Sequence, residues 1–241
     1  MKVIIIKKRY IQIAIVLILI ALIFVYKIHH NSKTMAVTYL PISNKVIAID
    51  AGHGGVDPGA VSKNGVKESD INLKIAIKLK RLIEQSGGIV IMTRTKDEGL
   101  HSSEAKTLRK MKTEDLHKRK EIIQMGESEL FISIHLNSFT RPNYYGAQTF
   151  YKKDFKEGEK LALLIQKEFK NILDNENNRQ PQKRDDVFLL NEIDVPAVLV
   201  ECGFLSNSNE EKLLQEELYQ EKIAWCIYIG IMNYFSGTDN E

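Results

Sequence analysis

Residues 46–55 read VIAIDAGHGG: four apolar residues, an aspartate, then a glycine-rich turn carrying one histidine. A short apolar run bounded by charged residues, here Lys45 and Asp50, is the pattern of a strand buried on both faces. Gly52, Gly54 and Gly55 permit positive φ and close backbone approach, so the turn can aim His53 back over the strand end. In residues 69–85 the apolar set Ile71, Ile75, Leu79, Leu82 and Ile83 falls at spacings of three and four. That spacing predicts a helix, with Ser69 as N-cap and Gly87-Gly88 as the stop. Residues 88–92, 130–134, 146–151, 187–190 and 197–200 read as further strands, and 113–125, 154–173 and 209–235 as helices, the first of these opened by Thr113. Strands alternating with helices predict an α/β domain with a mostly parallel sheet covered on both faces. Residues 96–112 read as a loop or partly ordered lid with His101 at its surface, and residues 174–186 as a polar, mobile stretch.

In open α/β sheets ligands bind beyond the carboxyl ends of the strands. His53 follows the first strand, His135 ends the apolar part of LFISIHLNS at 130–138, and Glu201 ends that of AVLVECGFLSN at 197–207. Glu68 enters the helix after the first strand, on the same rim. Two histidines with one glutamate form a known catalytic zinc set, which leaves the other glutamate as general base. Spacing alone does not decide which glutamate is which. A phosphate-gripping loop is the other reading of the turn, but it lacks the G-K-[ST] ending and the G-x-G-x-x-G spacing. Asn137 and Ser133 share a face with His135 and can bind its ring or substrate. A carboxylate at the end of a strand apolar on both faces needs a partner; a metal, Arg94 or Arg184 can supply one to Glu201. Asp50 is the candidate to hold the His53 ring from behind. Cys202 with His135 as base is a weaker reading, because alternation points Cys202 away from Glu201. Cys202 and Cys226 read as two buried free thiols.

At 241 residues the chain has room for one sizeable domain. Five of its 34 lysines and arginines lie in residues 1–27, where there is no acid, so 29 basic residues face 31 acidic ones elsewhere. The excess positive charge belongs to the N-terminus, and the remainder does not ask for nucleic acid as a partner. Residues 10–26 carry only Gln12 as a strongly polar residue, and as a helix span roughly 26 Å, just under the hydrocarbon thickness. Lys7-Lys8-Arg9 precede the span and no small-x-small cleavage site follows it, so an uncleaved signal anchor is expected, with residue 1 in the cytoplasm and residues 28–241 outside. The expected organisation is an anchor at 1–27, a linker at 28–44 and a catalytic domain at 45–237.

Five motifs now stand in one order: VIAIDAGHGGVDPGA, GVKE followed by Asn72-Leu73, Thr93-Arg94, FISIHLNS, and PAVLVECGFLSN with Glu210 soon after. Together they resemble the zinc-dependent N-acetylmuramoyl-L-alanine amidases of the Amidase_3 family, which cut bacterial peptidoglycan. The resemblance implies a three-layer α/β/α sandwich around a roughly six-stranded sheet. It also implies one zinc ion held by His53, Glu68 and His135, with Glu201 as the catalytic glutamate. Gln148 stands where many members carry glutamate, and residues 96–112 are longer than usual. The short membrane-anchored build is similar to amidases that prepare spore-cortex peptidoglycan for muramic-δ-lactam formation and hence germination. The lack of a wall-binding module and the 96–112 insertion motivate the expectation of an activating or zinc-loading protein partner. A zinc carboxypeptidase and a catalytically dead, membrane-tethered wall-binding protein are the rival readings.

Overall fold

The computed structural model describes residues 8–30 and 39–237. Helix α1, Lys8–His30, belongs to a unit of its own, apart from the unit Tyr39–Glu241. Its segment Lys8–Lys27 is long and apolar enough to cross a membrane. Of the expected linker, residues 31–38 lie outside the described residues. Its end is part of the domain, since Ile42 is fully buried and Ser43 closes a turn onto the carbonyl of Leu40.

Six strands form one sheet in the order β2-β1-β3-β6-β4-β5. These are β1 Val46–Ala51, β2 Ile89–Met92, β3 Leu130–Asn137, β4 Gln148–Lys152, β5 Gln182–Arg184 and β6 Ala197–Phe204. All pairings are parallel except β4 with β6. One face carries α2 Glu68–Gln85, α4 Lys156–Glu168 and α7 Glu217–Ser236, over a core built from Ile47, Ile49, Ile132, Ile134, Val198 and Val200. The other face carries α3 Leu108–Met125 and α5 Phe188–Glu192, over Ala48, Phe131, Ala197 and Leu199. Adjacent residues of β1, β3 and β6 thus feed opposite cores, which is why these strands are apolar throughout rather than alternating. The expected three-layer sandwich is what forms.

Connectivity positions the site. From β1 the chain crosses by α2 to β2 on one side, then by α3 to β3 on the other side of β1. The strand order therefore reverses between β1 and β3, and a crevice opens beyond their carboxyl ends.

Several local expectations are corrected. Residues 188–190 belong to the helix α5 rather than a strand, with Val187 as its N-cap: Leu189 and Leu190 are buried, and so short an apolar run does not separate helix from strand. The mobile stretch contains edge strand β5, held in register by β4. Helix α3 begins at Leu108, capped by the Thr107 side chain on the amide of Lys110, so Thr113 lies inside it. Ser69 is not a cap, because α2 starts one residue earlier, at Glu68. The helical stretch after β4 ends in a π-turn, Phe169–Leu173, and α6 Ser208–Gln215 precedes α7. Cys202 and Cys226 are buried free thiols, as expected.

Candidate metal and catalytic site

His53, Glu68 and His135 meet at the β1–β3 crevice. Glu68 Oε1 lies 3.3 Å from His53 Nε2 and 3.1 Å from His135 Nδ1. One ligand atom from each of the three falls within 4.8 Å of the others, so the triad could hold a metal ion. Two imidazoles and a carboxylate are a donor set suited to zinc. The backbone is shaped around it. A Cβ on Gly52 would collide with the His135 ring, and one on Gly59 would lie 2.5 Å from Glu68 Oε2.

Electrostatics favour a cation at that point. Burial pushes the Glu68 carboxyl up, but bonds and charge from His135 and His53 hold it well below the usual carboxylate range. Burial lowers the His53 pKa, yet Asp57 and Glu68 pull it up to about 9. Glu68 also accepts from the amides of Ala60 and Leu136 and from Asn72 Nδ2, which fixes both carboxylate oxygens.

Glu201 lies beside His135 in register on neighbouring strands, on the same face. Among the described residues, its Oε2 is buried without a hydrogen-bond partner. Burial, reinforced by Glu68 and opposed by His135 and Arg184, pushes its pKa up to about 7. A carboxyl poised near neutrality, with an unbonded oxygen beside a prospective metal, has the properties of a general base. His53, Asp57, His135 and Glu201 line a cleft of about 450 Å³ between the strand ends, α3 and α5. His101 and Arg184 line it too, His101 as a half-buried residue at the surface, as expected.

The remaining candidates take other roles. Asp50 does not touch the His53 ring; it accepts from Thr93 Oγ1, Ser133 Oγ and Arg119 Nη1. Asp57 is the residue behind that ring, with Oδ2 2.8 Å from His53 Nδ1. Asp50 lies within β1, its carboxylate taken up by Thr93, Ser133 and Arg119, while the turn beyond the strand folds Asp57 back onto the ring. Arg94 is not the partner of Glu201. It is buried and donates to the carbonyls of Ala51, Gly52, Ser69 and Lys96, tying the His53 turn to the start of α2. Arg184 forms a two-pronged pair with Asp186. Asn137 turns onto the amide of Ser138 and does not line the cleft. Gln148 sits opposite Glu201 across the antiparallel pair and is held by Arg179 and the carbonyl of Gln180.

Sequence reading missed Asp57, Lys112 and Arg119. Arg119 is fully buried on α3 and donates to Asp50, Asp115 and the carbonyls of Ala51 and His53. Its position, four residues after Asp115 and four before buried Ile123, was the available signal: a cation on the buried stripe of a helix.

The chain matches the Amidase_3 family, described as N-acetylmuramoyl-L-alanine amidase, over residues 47–233. It is 38% identical over 218 residues to the germination-specific N-acetylmuramoyl-L-alanine amidase of Bacillus subtilis, covering 90% of this chain and 91% of that protein. Among solved structures it is 54% identical to the CwlD amidase from Clostridioides difficile, determined in complex with the GerS lipoprotein, with a TM-score of 0.79. That match covers 80% of this chain and all of the other. The catalytic domain of CwlV, an N-acetylmuramoyl-L-alanine amidase from Paenibacillus polymyxa, matches at 28% identity and TM-score 0.66 over 80% of this chain and 98% of that one.

Proposed function

Because this chain belongs to the N-acetylmuramoyl-L-alanine amidase family, we propose that it hydrolyses the amide between the lactyl group of N-acetylmuramic acid and L-alanine of the stem peptide, with one zinc ion held by His53, Glu68 and His135. When bound there, zinc supplies Lewis acidity for carbonyl polarisation and water activation. Glu201 accepts the proton of the attacking water at its free Oε2 and delivers it to the departing amine of alanine. Its burial keeps the carboxyl basic enough for the first transfer and acidic enough for the second. Asp57 orients the His53 ring through Nδ1, and Arg94 and Arg119 fix the backbone that carries it. The cleft between α3 and α5 receives the glycan and peptide on either side of the bond.

The observation that carries this reading is the convergence of the His53, Glu68 and His135 donors beside an unbonded Glu201 oxygen. Glu201→Gln keeps the shape and the metal ligands but removes the base. Zinc content is then unchanged, while release of free stem peptide from purified muropeptides falls by about 10²–10⁴. Near-wild-type turnover in that variant would rule out this role for Glu201.

The reading extends to place. Helix α1 anchors the enzyme with residues 28–241 outside the cytoplasm, and the Bacillus relative's germination role suggests spore cortex as the wall acted on. A lipoprotein partner, of the kind found with the Clostridioides difficile amidase, fits a membrane-tethered chain. Loss of activity from the membrane fraction on deleting residues 1–27, with activity retained in the soluble fraction, is the expected result for the anchor.

A further inference from the structure

We propose that Lys112 is a positioning residue for the metal site, acting on His53 through Asp57; the proposal rests on the reading of His53 as a metal ligand. Lys112 lies in the first half of α3, with Nζ 2.8 Å from Asp57 Oδ1. The other oxygen of the same carboxylate, Oδ2, takes the His53 ring at Nδ1. Carboxylates behind a metal-bound histidine set its tautomer and orientation. Lys112 is one step further out, and holds the carboxylate that holds the ring.

An ion pair with a half-exposed lysine ordinarily contributes little. Here three features set it apart. Among the described residues Oδ1 of Asp57 has one other donor, the amide of Gly59 at 3.3 Å, so Lys112 is the nearer of the two groups that hold this oxygen. His53 sits in the left-handed region at φ 64, a conformation that persists in a non-glycine residue only where the surroundings enforce it. Much of that enforcement comes from one helix, beside what Arg94 and Glu68 supply: Lys112, Asp115 and Arg119 lie along one stripe of α3, at spacings of three and four. From it, Arg119 grips the His53 carbonyl, Asp115 braces Arg119 and the amide of Leu100, and Lys112 reaches Asp57. Helix α3 thus fixes the His53 turn at its backbone and, through Lys112, at its ring. The long segment before α3 is joined to the same device at Leu100.

The test is zinc affinity of the full chain in mild detergent, read by competition with a fluorescent chelator, so that it does not depend on turnover. Lys112→Gln is expected to weaken zinc by roughly three- to tenfold, below the 10- to 100-fold typical of a direct outer partner. Lys112→Arg retains most of the affinity, and the metal-free melting temperature of Lys112→Gln stays at the wild-type value. In an Asp57→Asn background the Lys112 substitution adds no further loss, because its route to His53 is already cut. Affinity of Lys112→Gln within about twofold of wild type overturns the proposal. So does an equal loss in the Asp57→Asn background, which would mean that Lys112 acts by another path. A wild-type chain that binds no zinc overturns the ligand assignment and this proposal with it.

Discussion

Replacing Arg119 with methionine tests the buried polar scaffold under the site. The side chains of Arg119 and Asp50 are 2% and 1% exposed and meet at 2.6 Å. Removing one partner of such a pair strands the other charge, at about 3–5 kcal/mol. The Ala51 and His53 carbonyls also lose a donor each, worth about 1 kcal/mol apiece. A loss of about 5–7 kcal/mol is a large part of the 5–15 kcal/mol that holds a typical domain, and lowers Tm by roughly 10–28 °C. Thermal and urea melts in chelator remove metal affinity from the comparison.

The pH dependence sharpens this prediction. Burial pushes Asp50 up, but Arg119 foremost pulls it down to about 2, below its unfolded value near 3.8. In the wild type this contribution is present in full above about pH 4 and is lost as pH falls toward 2. Without Arg119, burial dominates and the folded pKa rises above the unfolded one. The variant then carries a penalty at neutral pH that protonation relieves. The gap between wild type and Arg119→Met is therefore widest near pH 7 and narrows toward pH 3. Asp50→Asn in the Arg119→Met background recovers part of the loss. A gap under about 1 kcal/mol at pH 7, or one that does not change with pH, refutes the reasoning.

Other perturbations have distinct signatures. Gly59→Ala forces a left-handed φ of 68 on a residue with a Cβ 2.5 Å from Glu68 Oε2. It costs about 1–2 kcal/mol of stability and depletes zinc, as elemental analysis beside circular dichroism reads. His53→Ala and His135→Ala lose the metal outright, whereas Glu201→Gln keeps it. A chelator abolishes turnover in the wild type, and added zinc restores it. Burial pushes the Cys226 thiol up to about 12 and that of Cys202 well above its ordinary value, so a disulfide reagent at pH 8 labels neither until the chain unfolds.

Where residues repeat with a clear period or cluster in a motif, the structure was legible in the sequence. The apolar runs of β1, β3 and β6 read as buried strands because both faces are covered. Their polar ends read as a site because parallel strands present their carboxyl ends together. The assignment of Glu68 and Glu201 to different roles came from family resemblance, since both stand on one rim. What escaped depended on contacts across the fold. Arg119 looked like one more charge on a polar helix, until α3 docked with Asp50 and two carbonyls beneath it. Asp57 displaced Asp50 behind His53 because the turn folds back within four residues, a path no periodicity encodes. Val187–Leu190 was too short for its period to separate strand from helix.

The central claim is which bond is cut. Muropeptides digested by the zinc-loaded full chain in water enriched in ¹⁸O, followed by mass spectrometry, read it directly. The account predicts one ¹⁸O in the lactyl carboxylate of N-acetylmuramic acid and an unlabelled stem peptide with a free L-alanine amine, with both products formed about 10²–10⁴ times more slowly by Glu201→Gln. Label in a peptide carboxylate, with the lactyl amide intact, would show a peptidase using the same residues and contradict it.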